Sequence, residues 1–279
     1  MGRGGCTRLN SLSDQDKYLW MNGNLNDTHG TDRNQMQPTN DETNRITKLR
    51  ILQLNLNKSV TAHLELINDS LAAHWDIVLI QEPYITFFSS IRTLNHFISV
   101  SPISWGALDS LVQSMIWVNS ALTTNNWKIL DIPDTNNVVV IKLNGTYGKL
   151  QIFSIYNVGE HSDSLVVLRQ HMQGLWNRPQ GQLSCHILWG SNFNQHHPMW
   201  DKDEDTHLFM VKALEDVGEL ITLLTDQEMV MPLPKGILML KHMVMKRLSR
   251  PDNVFCTVGL AKHIVKCLRD NQAKPITIQ

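Results

Sequence analysis

The chain has 279 residues, of which 42% are hydrophobic and 18% charged, with a formal net charge of -1 at pH 7. That length and balance suit one large or two small globular domains with a sizeable core. No apolar run approaches the roughly 20 residues that span a bilayer, and a near-neutral chain can hold nucleic acid only through local charge.

The opening MGRGGCTRLN lacks the apolar stretch of a secretory signal. Cys6 stands where a myristoylation signal needs Ser or Thr. Residues 1–48 are rich in Asn, Asp, Gly, Thr and Gln with no apolar period, and read as a disordered polar tail. Order is expected from residue 49 to the end, as one domain. LRILQLNLN reads as a strand that ends in two asparagines. In the following SVTAHLELINDSLAAHW, Val60, Leu64, Ile67 and Leu71 recur at helical spacing behind Ser59, a suitable N-cap. DIVLIQE is a short apolar strand stopped by Pro83.

HFISV, SMIWV, NWKIL, VVVIKL and LQIFSIY are short β-like runs, the last two joined through NGTYGK, a hairpin signal. SDSLVVLRQHMQGLW reads as a helix and CHILWG as a buried strand. Between His207 and Thr225, residues Met210, Ala213, Leu214, Val217, Ile221 and Leu224 form a second helical stripe, read as core packing. NVFCTV and HIVKC are the last strand candidates. Strands mixed with helices, without an internal linker, predict an α/β domain.

Cys6, Cys185, Cys256 and Cys267 show no CxxC pairing, which favours reduced thiols in an intracellular protein over disulfides or zinc. From Lys235 onward the chain carries nine basic and two acidic residues, a local charge of +7. Lys235, Lys241, Lys246, Arg247 and Arg250 lead this stripe, which suits phosphates as well as it suits a merely solvated surface.

Polar residues collect where the apolar runs end: Asn55 and Asn57, Gln81 and Glu82, Tyr156 and Asn157, Asn192 and Asn194. Singly, an Asn after a strand is usually a turn residue. Together they offer a carboxylate able to hold a hard cation, and amide and hydroxyl groups able to orient a phosphate or a water. The adjacent His196 and His197 do not point at one metal and lack an HExxH frame, so they read as packing or hydrogen-bonding residues behind the site. DKDEDTH begins like a calcium loop but has Thr206 and Lys212 where Gly and Glu are needed.

The motifs LQLNLNKS, DIVLIQEP, FSIYN, FNQHHPMWD and SRPDNVF, in this order, resemble the endonuclease/exonuclease/phosphatase superfamily. Within it they look like the endonuclease domain of LINE-type (non-LTR) retrotransposons, a branch similar to apurinic/apyrimidinic endonucleases. The FNxHHPxW pattern is the sharpest of them. The resemblance covers residue 49 to the C-terminus and implies a two-sheet α/β sandwich flanked by helices. It also implies Mg²⁺-dependent (or Mn²⁺-dependent) hydrolysis of a DNA phosphodiester, with DNA as partner; the location expected is intracellular, and nuclear where the domain functions, with no membrane and no protein partner predicted.

On that resemblance Glu82 is the metal ligand, with Asn57 and Asn55 beside it. Tyr156 and Asn194 contact the phosphate, Asn192 takes the place of the aspartate that positions the attacking water, and Asp252 matches the acid that supports a catalytic histidine. Two departures are expected to impair the reaction. Asn192 lacks a proton-accepting carboxylate, and losing one such group typically costs about 10²–10⁴-fold in rate. The family's closing Thr-Asp-His element has no full counterpart in KPITIQ, which predicts a domain truncated at the C-terminus. Gly190-Ser191 also stands where relatives usually have Leu-Gly. The readings carried forward are a weakened DNA-nicking endonuclease, an inactive relic that still binds DNA, and, disfavoured by FNQHHPMW, a phosphatase acting on small phosphoesters.

Overall fold

The computed structural model describes residues 18–22, 49–69, 74–87, 89–104, 111–145, 148–158, 163–176, 185–236, 240–241, 248–249, 252–264 and 266–270. The elements run β1 (Tyr18–Asn22), β2 (Arg50–Asn55), α1 (Val60–Asn68), β3 (Ile77–Gln81), β4 (Phe97–Val100), β5 (Ser114–Asn119), β6 (Trp127–Leu130), β7 (Val138–Gly145) and β8 (Gly148–Tyr156). They continue as α2 (Asp163–Trp176), β9 (Cys185–Asn192), α3 (Val211–Asp226), β10 (Met229–Val230), β11 (Leu240–Lys241), β12 (Leu248–Ser249), β13 (Asp252–Thr257), α4 (Val258–Ala261) and β14 (Lys266–Asp270).

Two six-stranded sheets form, in the orders β14-β1-β2-β3-β5-β4 and β10-β13-β9-β8-β7-β6, with β11 and β12 as a small separate pair. The sheets face each other, and alternate residues of the central strands meet between them: Ile51, Ile77, Leu79 and Ile116 from one, Ile141, Ile152, Leu188 and Val254 from the other. The opposite residues of the first sheet (Leu52, Leu54, Val78, Met115 and Trp117) pack with Leu66 of α1. Those of the second (Val140, Phe153, Trp189 and Phe255) pack with Leu165 and Leu168 of α2 and Leu220 and Leu223 of α3. Both faces of each central strand are therefore covered, which is why DIVLI and SMIWV are continuous apolar runs without alternation.

Two connections decide where the chemistry can sit. β2 and β3 pair in parallel across α1, and β8 and β9 pair in parallel across α2. Parallel pairing puts the carboxyl ends of both partners at one edge. Ser59 caps α1 as expected, its Oγ accepting the Ala62 N–H at 3.2 Å.

Several details depart from the sequence reading. Tyr18–Asn22, assigned there to the polar tail, forms β1 between β14 and β2, with Met21 opposite Ile51 and Trp20 opposite Leu268. YLWM is a short apolar run, and pairing on both sides satisfies its backbone where flanking composition gave no sign of order. The rest of 1–48 lies outside the described residues. In α1 the buried side chains are His63 and Leu66, while Val60 is exposed and Leu71 lies outside the described residues. In α3 they are Val217, Leu220, Leu223 and Leu224. Met210 is 71% exposed, because it lies just before a helix that starts at Val211 and whose buried residues begin only at Val217. The HIVKC strand falls three residues later, as β14. Among the described residues no helix is long and apolar enough to cross a membrane.

Candidate active site

Register brings the marked strand ends together. Asn55 lies beside Gln81, Tyr156 beside Asn192, and Asp252, at the start of antiparallel β13, directly opposite Asn192. Across the cleft the Tyr156 hydroxyl donates to Glu82 Oε1 at 3.2 Å, and Lys58 Nζ approaches the same oxygen at 3.7 Å. Both contacts converge on Oε1; among the described residues Oε2 takes no hydrogen bond or ion pair.

The lip of the site is held in unusual backbone. Asn57 (φ 48°), Lys58 (φ 54°), Glu82 (φ 47°) and Asn194 (φ 52°) all adopt the left-handed conformation, which is costly for side chains larger than Gly or Asn. Glu82 is pinned from both sides, its N–H to the Gln113 carbonyl and its carbonyl accepting the Lys58 N–H, each at 2.8 Å. Strain held by bonds on both sides clusters at functional sites.

The asparagines brace the turns around the strand ends. Asn55 Oδ1 accepts the Asn57 N–H at 2.8 Å, fixing the turn after β2. Asn192 Oδ1 accepts the Asn194 N–H at 3.0 Å, and Asn194 Nδ2 donates to the Asn157 carbonyl at 2.9 Å. Asn192 and Asp252 are both buried. Asn57 is exposed at the rim.

Beneath the lip lies a polar floor between the sheets, of which the sequence reading singled out only Gln81. Gln53 Nε2 donates to the Ser191 carbonyl at 2.9 Å, Gln81 Nε2 to Ser154 Oγ at 3.0 Å, and Ser114 Oγ to Ser154 Oγ at 2.7 Å. The signal was present: at Gln53, Ser114 and Ser154 a polar residue takes the phase that is apolar elsewhere in its strand. These bonds lock the two sheets together directly under the site, so Glu82 and Tyr156 meet across a braced gap. His63 is a second residue the pattern hid. The Tyr84 N–H donates to its Nδ1 and its Nε2 faces the Arg92 carbonyl at 2.8 Å, which ties down the loop after Glu82 as the Nε2–H tautomer. Burial lowers its pKa, keeping the ring neutral.

Tyr156 has its pKa pushed up to about 12, first by burial, then by the charge and hydrogen bond of Glu82, with the Asn194 side chain acting the other way. It therefore stays a proton donor at neutral pH. Since the folded state keeps this proton where the unfolded chain (pKa about 10) loses it, stability is full below about pH 10 and falls as pH rises towards about 12. Tyr156→Phe should flatten that part of the curve, read as the difference between variant and parent in urea unfolding from pH 9 to 12.

Behind the site, Asp201 is fully buried, accepting the His197 N–H at 2.9 Å and facing His196 Nδ1 at 3.3 Å. The His197 ring lies 5.2 Å from Trp200, whose Nε1 donates to the Gln195 carbonyl. The histidine pair is thus a packed, hydrogen-bonded loop, as expected. Among the described residues no three His, Cys, Asp or Glu side chains gather as a metal cluster. In the basic stripe, Lys235 pairs with Asp203 at 2.5 Å. Lys241 lies on β11, and Lys246, Arg247 and Arg250 fall outside the described residues.

No family model matches the chain, and no curated protein matches it. Among solved structures it is similar to the endonuclease domain of TRAS1, a telomere-specific non-LTR retrotransposon, with a TM-score of 0.55 and 20% identity over 77% of this chain and 87% of that one. Two TDP2 structures from D. rerio also match, at 14% identity over 75% of this chain and 83% of each: a form humanized by 14 mutations (TM-score 0.47) and a complex with single-strand DNA product (TM-score 0.44). With two mixed sheets face to face, helices outside them and the polar strand ends at one edge, the chain has the endonuclease/exonuclease/phosphatase fold.

Proposed function

We propose that this chain is a DNA-nicking endonuclease domain of low turnover, dependent on a divalent cation. The observation that carries it is the meeting of Glu82 and Tyr156 across the two sheets, with Asn192, Asn194 and Asp252 at the same edge. The donor set suits Mg²⁺ or Mn²⁺, hard cations often held by only one or two carboxylates plus substrate phosphate oxygens. Glu82, with Oε2 uncommitted, would hold the ion, and the Asn57 amide stands nearby on the same rim. When bound, the cation would neutralise the phosphate and raise its electrophilicity. Tyr156, a neutral donor at working pH, and Asn194 Nδ2 are placed to hold the phosphate oxygens.

The weak point is Asn192. Its amide occupies the position from which a carboxylate would orient and deprotonate water, and an amide cannot take that proton. This supports a second reading, an inactive domain that keeps DNA binding. Incubating supercoiled plasmid with the full chain and Mg²⁺ or Mn²⁺ separates them. Slow nicking that disappears in Glu82→Ala supports the first. DNA binding without any Glu82-dependent nicking supports the second. Neither nicking nor binding at low salt overturns both. Binding is expected to weaken steeply as salt rises, because the contacts are to phosphate.

A further inference from the structure

We propose that Lys58 is a substrate-phosphate-binding residue of this site, its ammonium passing from Glu82 to a DNA phosphate oxygen on binding. The inference rests on the proposed DNA-binding role of the cleft. Lys58 follows β2 in a left-handed conformation directly after Asn57, also left-handed, with its N–H tied to the Glu82 carbonyl at 2.8 Å. Asn or Gly would fit this backbone with less strain. The ion pair it makes does not offset that strain. At 3.7 Å, with 48% of the Lys58 side chain exposed, the contact is the kind that contributes little to stability.

What the arrangement does provide is position. The ammonium lies beside a carboxylate that is only 12% exposed and would otherwise repel an incoming phosphate. Ser59, the next residue, caps α1, so the free N–H groups of that helix begin on the same side and add to the positive potential. Lys58 also shares Glu82 Oε1 with the Tyr156 hydroxyl, which places two donors around one oxygen. A phosphate oxygen brought to that point would meet both. Lys58 would supply charge and Tyr156 a hydrogen bond.

Fluorescence anisotropy of a labelled DNA duplex with the full chain in EDTA, across a salt series, tests this without turnover. Lys58→Met and Lys58→Asn should each weaken binding about 5–10-fold at low salt and lower the slope of log affinity against log salt by about 1. Lys58→Arg should keep most of both. The loss should persist in a Glu82→Gln background, where a mere counter-ion of Glu82 would have nothing left to do. Variants that bind with the parent's affinity and slope overturn the proposal, as does a loss confined to Lys58→Met, since Asn suits the backbone and would show that the turn mattered instead of the charge. A parent chain that binds no DNA removes the DNA reading of the cleft and this proposal with it. Binding that depends on Lys58 without any nicking leaves the proposal standing and counts only against catalysis.

Discussion

Asn192→Asp is expected to raise Mg²⁺-dependent nicking by about 10²-fold or more, the typical worth of a positioned acid–base group. The substitution is nearly isosteric. Its Oδ1 can still accept the Asn194 N–H, so the loop that carries Asn194 keeps its anchor. What changes is charge. Asn192 lies directly opposite Asp252, and both are buried. Directly opposed residues of antiparallel strands share a face, and like charges there repel.

The variant should therefore unfold about 1 kcal/mol more easily in EDTA, and a divalent cation should recover part of that loss because it binds only the folded state. The asparagine is thus the more stable choice at this position and the less reactive one. Plasmid nicking and urea unfolding, each with and without Mg²⁺, measure the two halves. A correctly folded Asn192→Asp chain that nicks no faster than its parent would show that no proton is taken at this position.

Gly190→Leu should destabilise the fold by about 3 kcal/mol, at the upper end of what overpacking a core costs. A Cβ at Gly190 would collide with Leu79 Cδ1 and come within 3.2 Å of Gln53 Oε1. Leu79 is fully buried in the core between the sheets, so moving its side chain aside means displacing packed neighbours. The Gln53 bond to the Ser191 carbonyl would be strained as well. Leu79→Ala in the same chain should return part of the loss, giving a coupling energy within the usual range of about 0.5–3 kcal/mol for touching residues. A cost below about 1 kcal/mol, or strict additivity, would mean that the sheets stand further apart here.

Much of this could be read from the residues in order. The two parallel pairs follow from strand–helix–strand runs, DIVLI and SMIWV from two-sided burial, and the strand-end cluster of Asn55, Glu82, Tyr156 and Asn192 from polar residues stopping apolar runs. Local pattern was less reliable for helix faces. The buried side of α3 turned towards Leu220 and Leu223 because sheet contact, not the widest apolar stripe, sets the facing residues.

The sequence by itself determined the fold class and the gathering of polar residues at the ends of its apolar strands, since these depend on residue type and neighbours along the chain. Tertiary structure alone decided which partners meet: Lys58 and Tyr156 on one oxygen of Glu82, Gln53 under Ser191, Gly190 against Leu79, and Tyr18–Asn22 as a strand between β14 and β2. Each joins residues far apart in sequence or in separate strands. Such contacts form only when sheet register and the spacing of the two layers are set, and no local period encodes either.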